Sequence, residues 1–432
     1  MEFKDYISNL LDFLDNSPSK YLVVDAVSKR LIESGFQELD LKRKFPELKI
    51  GDKVFVRKNG SSLFAFVIGN KPMSTMGMKI ISAHSDFPCL QIKSNPEILI
   101  EGDLVKINIE SYGGPLLQTW LDRPLSIAGR VFVRGNGIYS PNQLLVNIKR
   151  PLLLIPSLPF HINKGNKDTS ALSTQFDMMP IIGISNKTSY NSFLKSILAE
   201  HLNLCVSEIL SYELCLYNTD HAELWGYNNE FLSSARLDDI SLVHAGLLAI
   251  LGAKQNDTTQ VLAIWDNEEC GSISKQGAAS SIFRDVVSRI LLASENNSEQ
   301  ISEVFENSFN VSLDCAFAVH PSHPEKSDTT NRPIMSKGPV IKIDTRQRYA
   351  TDAESEAIFK LLCQEENITC QYQMNHNDYQ GGNTLTSISS ISSPIRSIDI
   401  GAPVWGMHSI KETTSTKDMY DVLKILLAFY NR

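Results

Sequence analysis

The chain has 432 residues, of which 42% are apolar and 21% charged, and it carries a net charge of −8 at neutral pH. That length exceeds one simple core, so two domains or one domain with a large insertion are expected, and the balance excludes fibrous and disordered classes. A net acidic chain without a basic run is disfavoured as a nucleic-acid binder, because phosphate contacts need a basic surface.

In chain order, the first segment places Phe3, Tyr6, Leu10 and Leu14 on one face of an amphipathic helix. Its acids and its lack of a basic leader argue against a secretory signal. Ser17-Pro18 separates it from a second helix, YLVVDAVSKRLIESG, that stops at Gly35. Strand-like runs follow as KVFVRK, SLFAFVIG and MKIISAHSD. From about Ser94 the pattern changes to short alternating strands rich in glycine and proline, which sets apart a β-rich insertion over 94–219. Residues 1–93 and 220–432 then form a discontinuous α/β domain: helices such as SLVHAGLLAIL alternate with buried strands VLAIWD, VSLDCAFAV and IRSIDIGAP, and DMYDVLKILLAFYNR closes the chain. No run approaches the roughly 18 apolar residues of a membrane span. The seven cysteines are scattered without CxxC spacing, so neither a disulfide framework nor a cysteine zinc site is expected, and a cytoplasmic location is the simplest.

Chemistry is concentrated where apolar strands end. VLAIWD opens into DNEECG, and the adjacent Glu268 and Glu269 repel each other unless a cation or shared proton absorbs the charge. Taken alone, such a pair is more often a solvated acidic loop. His84 and Asp86 follow MKIISA as HSD, a spacing that lets an imidazole bind metal through one nitrogen while the carboxylate fixes the other, although HSD is also an ordinary turn sequence. Asp238 in ARLDD, taken alone, reads better as a helix N-cap or first-turn acid than as a ligand. Asp314 interrupts an apolar strand, a costly place for an unpartnered carboxylate. His408 in GMHSIKE is individually weak. Together, His84, Asp238, Glu269, Asp314 and His408 supply two imidazoles and three carboxylates, enough for two zinc-like ions if one carboxylate bridges. Such a pair can activate water and polarise an amide or ester carbonyl. His320 and His323 are expected in a loop, because the prolines of HPSHPEK deny them a common helix face. RGNGIYS lacks the following helix and GK[ST] of a phosphate loop.

The order of segments resembles the aspartyl aminopeptidases and vacuolar aminopeptidase I, a family of dinuclear zinc exopeptidases. The similarity runs nearly end to end through SAHSDFPCLQIK, TWLDRPLSIAGRVFV, LPFHINK, SARLDDI, IWDNEECGSISKQGA, AVHPSHPEK, NRPIMSKGPVIKID, QRYATD, GGNT and DIGAPVWGMHSIKET. It implies a zinc-exopeptidase-like α/β/α catalytic domain with an inserted β-rich dimerisation domain. Two Zn²⁺ per subunit are implied, with Co²⁺ or Mn²⁺ as alternatives: His84, Asp238 and Asp314 on one, and Asp238, Glu269 and His408 on the other, Asp238 bridging. Glu268 becomes the general base of a two-metal-activated hydroxide, Asp86 orients His84, and His161 reaches a neighbouring subunit's site to stabilise the oxyanion. Lys342 and Tyr349 match substrate-contacting positions, and an ammonium at Lys342 favours peptides with Asp or Glu at the N-terminus. The partners implied are peptide substrates and copies of the chain in a tetrahedral dodecamer built from dimers, with neither nucleic acid nor membrane. Departures from the family pattern include Phe317 for a histidine, Thr386 for a glycine, Asp239 for an asparagine, Asn267 for a histidine and Leu22 for another histidine. The alternatives are another dinuclear-zinc amidohydrolase, a deacylase or carboxypeptidase, and a non-catalytic cage assembly.

Overall fold

A computed structural model describes residues 1–162, 172–185, 192–379 and 381–432. The chain divides into two compact units, one of Met1–Asp86, Ala222–Met407 and Glu412–Arg432, the other of Phe87–His221 and His408–Lys411. The divisions lie at 86/87 and 221/222, where the change of sequence pattern had suggested 93/94 and 219/220.

The first unit is built on a nine-stranded sheet whose central strands, Thr259–Trp265, Met78–His84, Phe309–Leu313 and Arg396–Gly401, run parallel. Strands of this kind are buried on both faces and read as unbroken apolar runs, as VLAIW does. Alternation sends successive side chains to opposite faces. Ile80, Val261 and Ala263 share a core with Val286, Val287, Ile290 and Leu291 of helix Ile282–Glu295. Ile81, Leu262 and Leu313 face the other way, towards Gly246 of helix Leu237–Gly252; a Cβ there would stand 2.9 Å from Leu262 Cδ1, so glycine permits this close approach of helix to sheet. Helices therefore cover both faces, which gives the α/β/α arrangement. The closing helix Thr416–Asn431 packs beside Leu237–Gly252, and the two N-terminal helices are Phe3–Asp15 and Lys20–Glu33, the second capped by Ser19 Oγ accepting from Leu22 N–H.

Register places the chemistry. Trp265 pairs with His84 and Leu313 with Ile400, so the strands end together and the segments after them share the carboxyl edge of the sheet. That edge is where open α/β sheets bind ligands.

The second unit is a six-stranded antiparallel sheet in the order Ser140–Asn147, Leu125–Gly137, Ile209–Asn218, Cys89–Ile100, Leu104–Tyr112 and Ile181–Ile184, with helix Phe193–Leu202. Val105, Ile107 and Ile109 alternate inward. The RGNG sequence ends strand Leu125–Gly137, and Ile138-Tyr139 make the hairpin turn after it, with Gly137 paired to Ser140 and no helix following. Among the described residues no helix is long and apolar enough to cross a membrane. None of the seven cysteines is joined in a disulfide.

Candidate active site

At the carboxyl edge of the first unit, His84 is the last residue of its strand and almost fully buried. Its Nδ1 lies 3.0 Å from the Asp86 carbonyl oxygen and 3.6 Å from the Asp86 carboxylate, and its Nε2 lies 3.6 Å from Asp238 Oδ1. The orienting contact thus comes from the Asp86 main chain, where the HSD spacing had pointed to its carboxylate. That carboxylate instead accepts the backbone N–H groups of Glu268 at 3.1 Å and Glu269 at 3.2 Å. It pins the acidic turn from beneath.

The turn itself is short. Asn267 and Ser272 take left-handed φ values of 65° and 62°, and Gly271 takes 93°, which favours a residue without a Cβ. Asp266, wholly buried, holds its base: Lys20 Nζ donates to one oxygen at 2.8 Å and Gln276 Nε2 to the other at 3.0 Å. Glu268 and Glu269 are thereby fixed side by side at the strand end.

Asp238 does not cap its helix. The N-cap position belongs to Arg236, Asp238 has φ −81° and ψ 108°, and the Asp238–Asp239 peptide is cis. The Asp238 N–H donates to Glu412 Oε2 at 2.9 Å, and the His84 N–H donates to Asp239 Oδ2 at 3.0 Å. Asp314 stands just past strand Phe309–Leu313 instead of interrupting it. Its carboxylate lies 2.9 Å from Lys342 Nζ, which also donates to the Cys315 carbonyl at 3.1 Å and sits 4.9 Å above the Tyr349 ring. Lys342 and Tyr349 are both buried.

Ligand atoms of His84, Asp238 and Asp314 lie within 4.8 Å of one another, and so do those of His84, Glu268 and Glu269. Burial is the largest influence on Glu268, Glu269, Asp239 and Asp314. It pushes Glu268 up to about 8 and raises Glu269, Asp239 and Asp314, the last against the pull of Lys342. For His84 burial alone would lower the imidazole, but Asp239, Asp238 and Asp86 outweigh it and raise it. Six carboxylates (Asp86, Asp238, Asp239, Glu268, Glu269 and Asp314) thus crowd one buried imidazole and one ammonium, and Asp239 Oδ1 is buried with no hydrogen-bond partner. Such a set wants a multivalent cation, and nitrogen and carboxylate donors of this kind suit zinc.

His408, φ 66°, goes with the second unit, where its Nδ1 lies 3.1 Å from the Gly114 carbonyl. His161 is exposed on the second unit, its ring 5.7 Å from that of Phe160. His320 and His323 are exposed in a loop, as expected. Thr386 is buried and donates to Asp399 at 2.7 Å, so its bulk is absorbed by that carboxylate. Phe317 is half-exposed, with its N–H donating to Gln373 Oε1 at 2.7 Å. Sequence reasoning missed Glu412, which had no local signal, and gave Asp239 no role, although the LDD doublet could have pointed to it.

Residues 13–430 match the profile of the aminopeptidase I zinc metalloprotease (M18) family. A Clostridium acetobutylicum protein described as a probable M18 family aminopeptidase 2 is 43% identical over 428 residues, covering 99% of each chain. Among solved structures, one in the complex of Ape4 and Nbr1 superposes with TM-score 0.94 at 30% identity, covering 99% of this chain and 86% of that one. The S. cerevisiae mApe1 dodecamer gives 0.86 at 25%, covering 98% and 95%. A buried acidic strand-edge cluster suited to zinc, and similarity along the whole chain, converge on one conclusion: the protein belongs to the M18 family of aminopeptidase I zinc metalloproteases and is a peptide-hydrolysing enzyme.

Proposed function

We propose that the protein removes the N-terminal residue from peptides with two zinc ions, and that it prefers acidic N-termini. His84, Asp238 and Asp314 would hold one ion and Asp238, Glu269 and His408 the other. When bound, zinc supplies a Lewis acid for the scissile carbonyl and makes water acidic enough to attack at neutral pH. Glu268 takes the water's proton and returns it to the departing amine. Its raised affinity for protons suits that exchange, and the Asp86 carboxylate keeps its main chain in place. His161 would donate to the developing oxyanion in a neighbouring copy of the chain. This role requires a homo-oligomer, a reading that the dodecamer of the yeast relative supports, and the arrangement proposed for it is a tetrahedral dodecamer built from dimers.

The observation that carries the catalytic reading is the buried cluster around His84. Support for the acidic preference comes from the Lys342 ammonium beside it, which would attract a carboxylate side chain. The same ammonium favours a second reading. It is already 2.9 Å from Asp314, and half-exposed Phe317 occupies the next strand segment, so neutral N-terminal residues are the competing substrates.

Rates on Asp-, Glu-, Leu- and Lys-initiated peptides, with free and blocked N-termini, separate these possibilities. Fastest release from free Asp and Glu peptides is expected. Faster release from Leu peptides would favour the neutral preference, and cleavage of blocked peptides alone would replace the aminopeptidase with a deacylase.

A further inference from the structure

The last two strands of the nine-stranded sheet, Val340–Lys342 and Gln371–Gln373, run parallel with Lys342 opposite Gln373. Partners across a strand pair send their side chains to the same face, and the next residue along turns to the other. Tyr372 obeys that alternation: its hydroxyl donates at 2.8 Å to Glu356 of helix Ala353–Glu365. Lys342 and Gln373 both meet Tyr349 instead. The ammonium lies 4.9 Å from the centre of its ring, and the amide reaches its hydroxyl at 3.4 Å.

Gln373 is buried, and both ends of its amide are engaged. Its Oε1 accepts the Phe317 N–H at 2.7 Å, which leaves Nε2 to donate to the Tyr349 hydroxyl. Phe317 belongs to strand Ala316–Phe317 of a separate five-stranded sheet, so one side chain ties two sheets of the first unit together. Lys342 holds the other end of the same segment, through the Asp314 carboxylate at 2.9 Å and the Cys315 carbonyl at 3.1 Å. Residues 314–317 are thus fastened by two adjacent side chains, with a candidate zinc ligand at one end and a half-exposed aromatic ring at the other. The division of labour follows. Lys342 secures the metal end, and Gln373 secures the aromatic end.

We propose that Gln373 is a positioning residue for recognition of the substrate's N-terminal residue, its amide holding the Phe317 main chain and the Tyr349 hydroxyl in fixed relation to Lys342. The proposal rests on the reading of Lys342 and Tyr349 as substrate contacts. Neither contact of the amide involves a proposed zinc ligand or Glu268. Its loss should therefore weaken the hold on substrate and spare the chemical step, so KM rises while kcat does not fall.

The test compares the zinc-loaded parent, Gln373→Met and Gln373→Glu on Asp- and Leu-initiated peptides, with zinc content measured alongside. Methionine matches glutamine in length but offers no donor and only a weak acceptor. Gln373→Met is expected to raise KM about three- to tenfold, as one or two lost hydrogen bonds should, with kcat within about twofold and zinc content unchanged. Glutamate keeps an oxygen for the Phe317 N–H and can accept from the Tyr349 hydroxyl. On the Leu-initiated peptide, Gln373→Glu should therefore return KM to within about twofold of the parent, while its added carboxylate beside Lys342 raises KM further on the Asp-initiated one. An unchanged KM in Gln373→Met, or a fall in kcat and zinc content at the parent's KM, would leave Gln373 a packing residue. Equal responses of Gln373→Glu on the two peptides would likewise overturn its place beside the recognition site. A parent that releases no N-terminal residue would overturn the aminopeptidase reading, and this proposal with it.

Discussion

The two units depart from the ordinary inside-outside rule in opposite directions. In the first, charged residues are hidden: Asp86, Asp238, Asp239, Asp314, Lys342 and His84 are all buried. In the second, apolar residues are displayed, with Phe160, Ile162, Phe176 and Ile184 each more than 70% exposed. Buried charge and exposed apolar surface are the informative exceptions in a globular protein. One marks where a cation and a reaction belong. The other marks a surface that another chain could cover. The contrast separates chemistry from assembly, and each half can be broken alone.

The largest effect is expected from Glu268→Gln. Turnover should fall about 10²–10⁴-fold, the contribution of a lost general base, while metal content measured by atomic absorption stays the same. Loss of metal would instead make Glu268 a ligand and exchange its role with Glu269.

Lys342→Met tests the charge balance. The buried 2.9 Å contact with Asp314 is lost, and removing one partner of a buried pair typically costs about 3–5 kcal/mol. That loss should appear in urea unfolding of chelator-treated protein and shrink once zinc is restored. An unchanged midpoint in the chelated protein would show that the ammonium does not balance the cluster.

A smaller effect, visible only in acid, is expected at His244. This histidine is buried against Tyr6 and Phe13, with Nε2 2.7 Å from Asn9 Oδ1. Burial, and then the charge of Arg30, lowers it from 6.5 to about 3. The unfolded chain therefore takes up the proton first. Stability from this residue is complete above about pH 6.5 and is lost as pH falls towards 3, by a few kcal/mol at most. His244→Phe should flatten the fall in stability between pH 7 and 4 relative to the parent; an identical slope would remove His244 from the acid response.

The smallest effect on folding is expected on the exposed apolar side. Phe176→Asp with Ile184→Asp should change unfolding free energy by no more than about 0.5 kcal/mol, as surface substitutions do. Sedimentation should nevertheless show smaller species. Oligomers of unchanged size would move the interface elsewhere on the chain.

Much of the fold is legible in the sequence, because periodicity reports burial and punctuation reports ends. The face of Phe3, Tyr6, Leu10 and Leu14, the stop near Gly35, the unbroken VLAIW strand and the closing helix all follow from local pattern. The residue types at the strand ends were equally visible in His84, Asp238, Glu268, Glu269 and Asp314. Their order of duties was not visible. Only register brings the ends of Met78–His84 and Thr259–Trp265 together, and only packing decides that Asp86 turns its carbonyl to His84 and its carboxylate to the amides of Glu268 and Glu269. The Lys342 contact with Asp314 and the Glu412 contact with Asp238 span distant segments for the same reason. Sequence alone thus determined which residues are buried and which chemistry is available, since both are written in neighbouring side chains. Tertiary structure decided which charge meets which, because long-range electrostatic partners are set by three-dimensional proximity and leave no period in the chain.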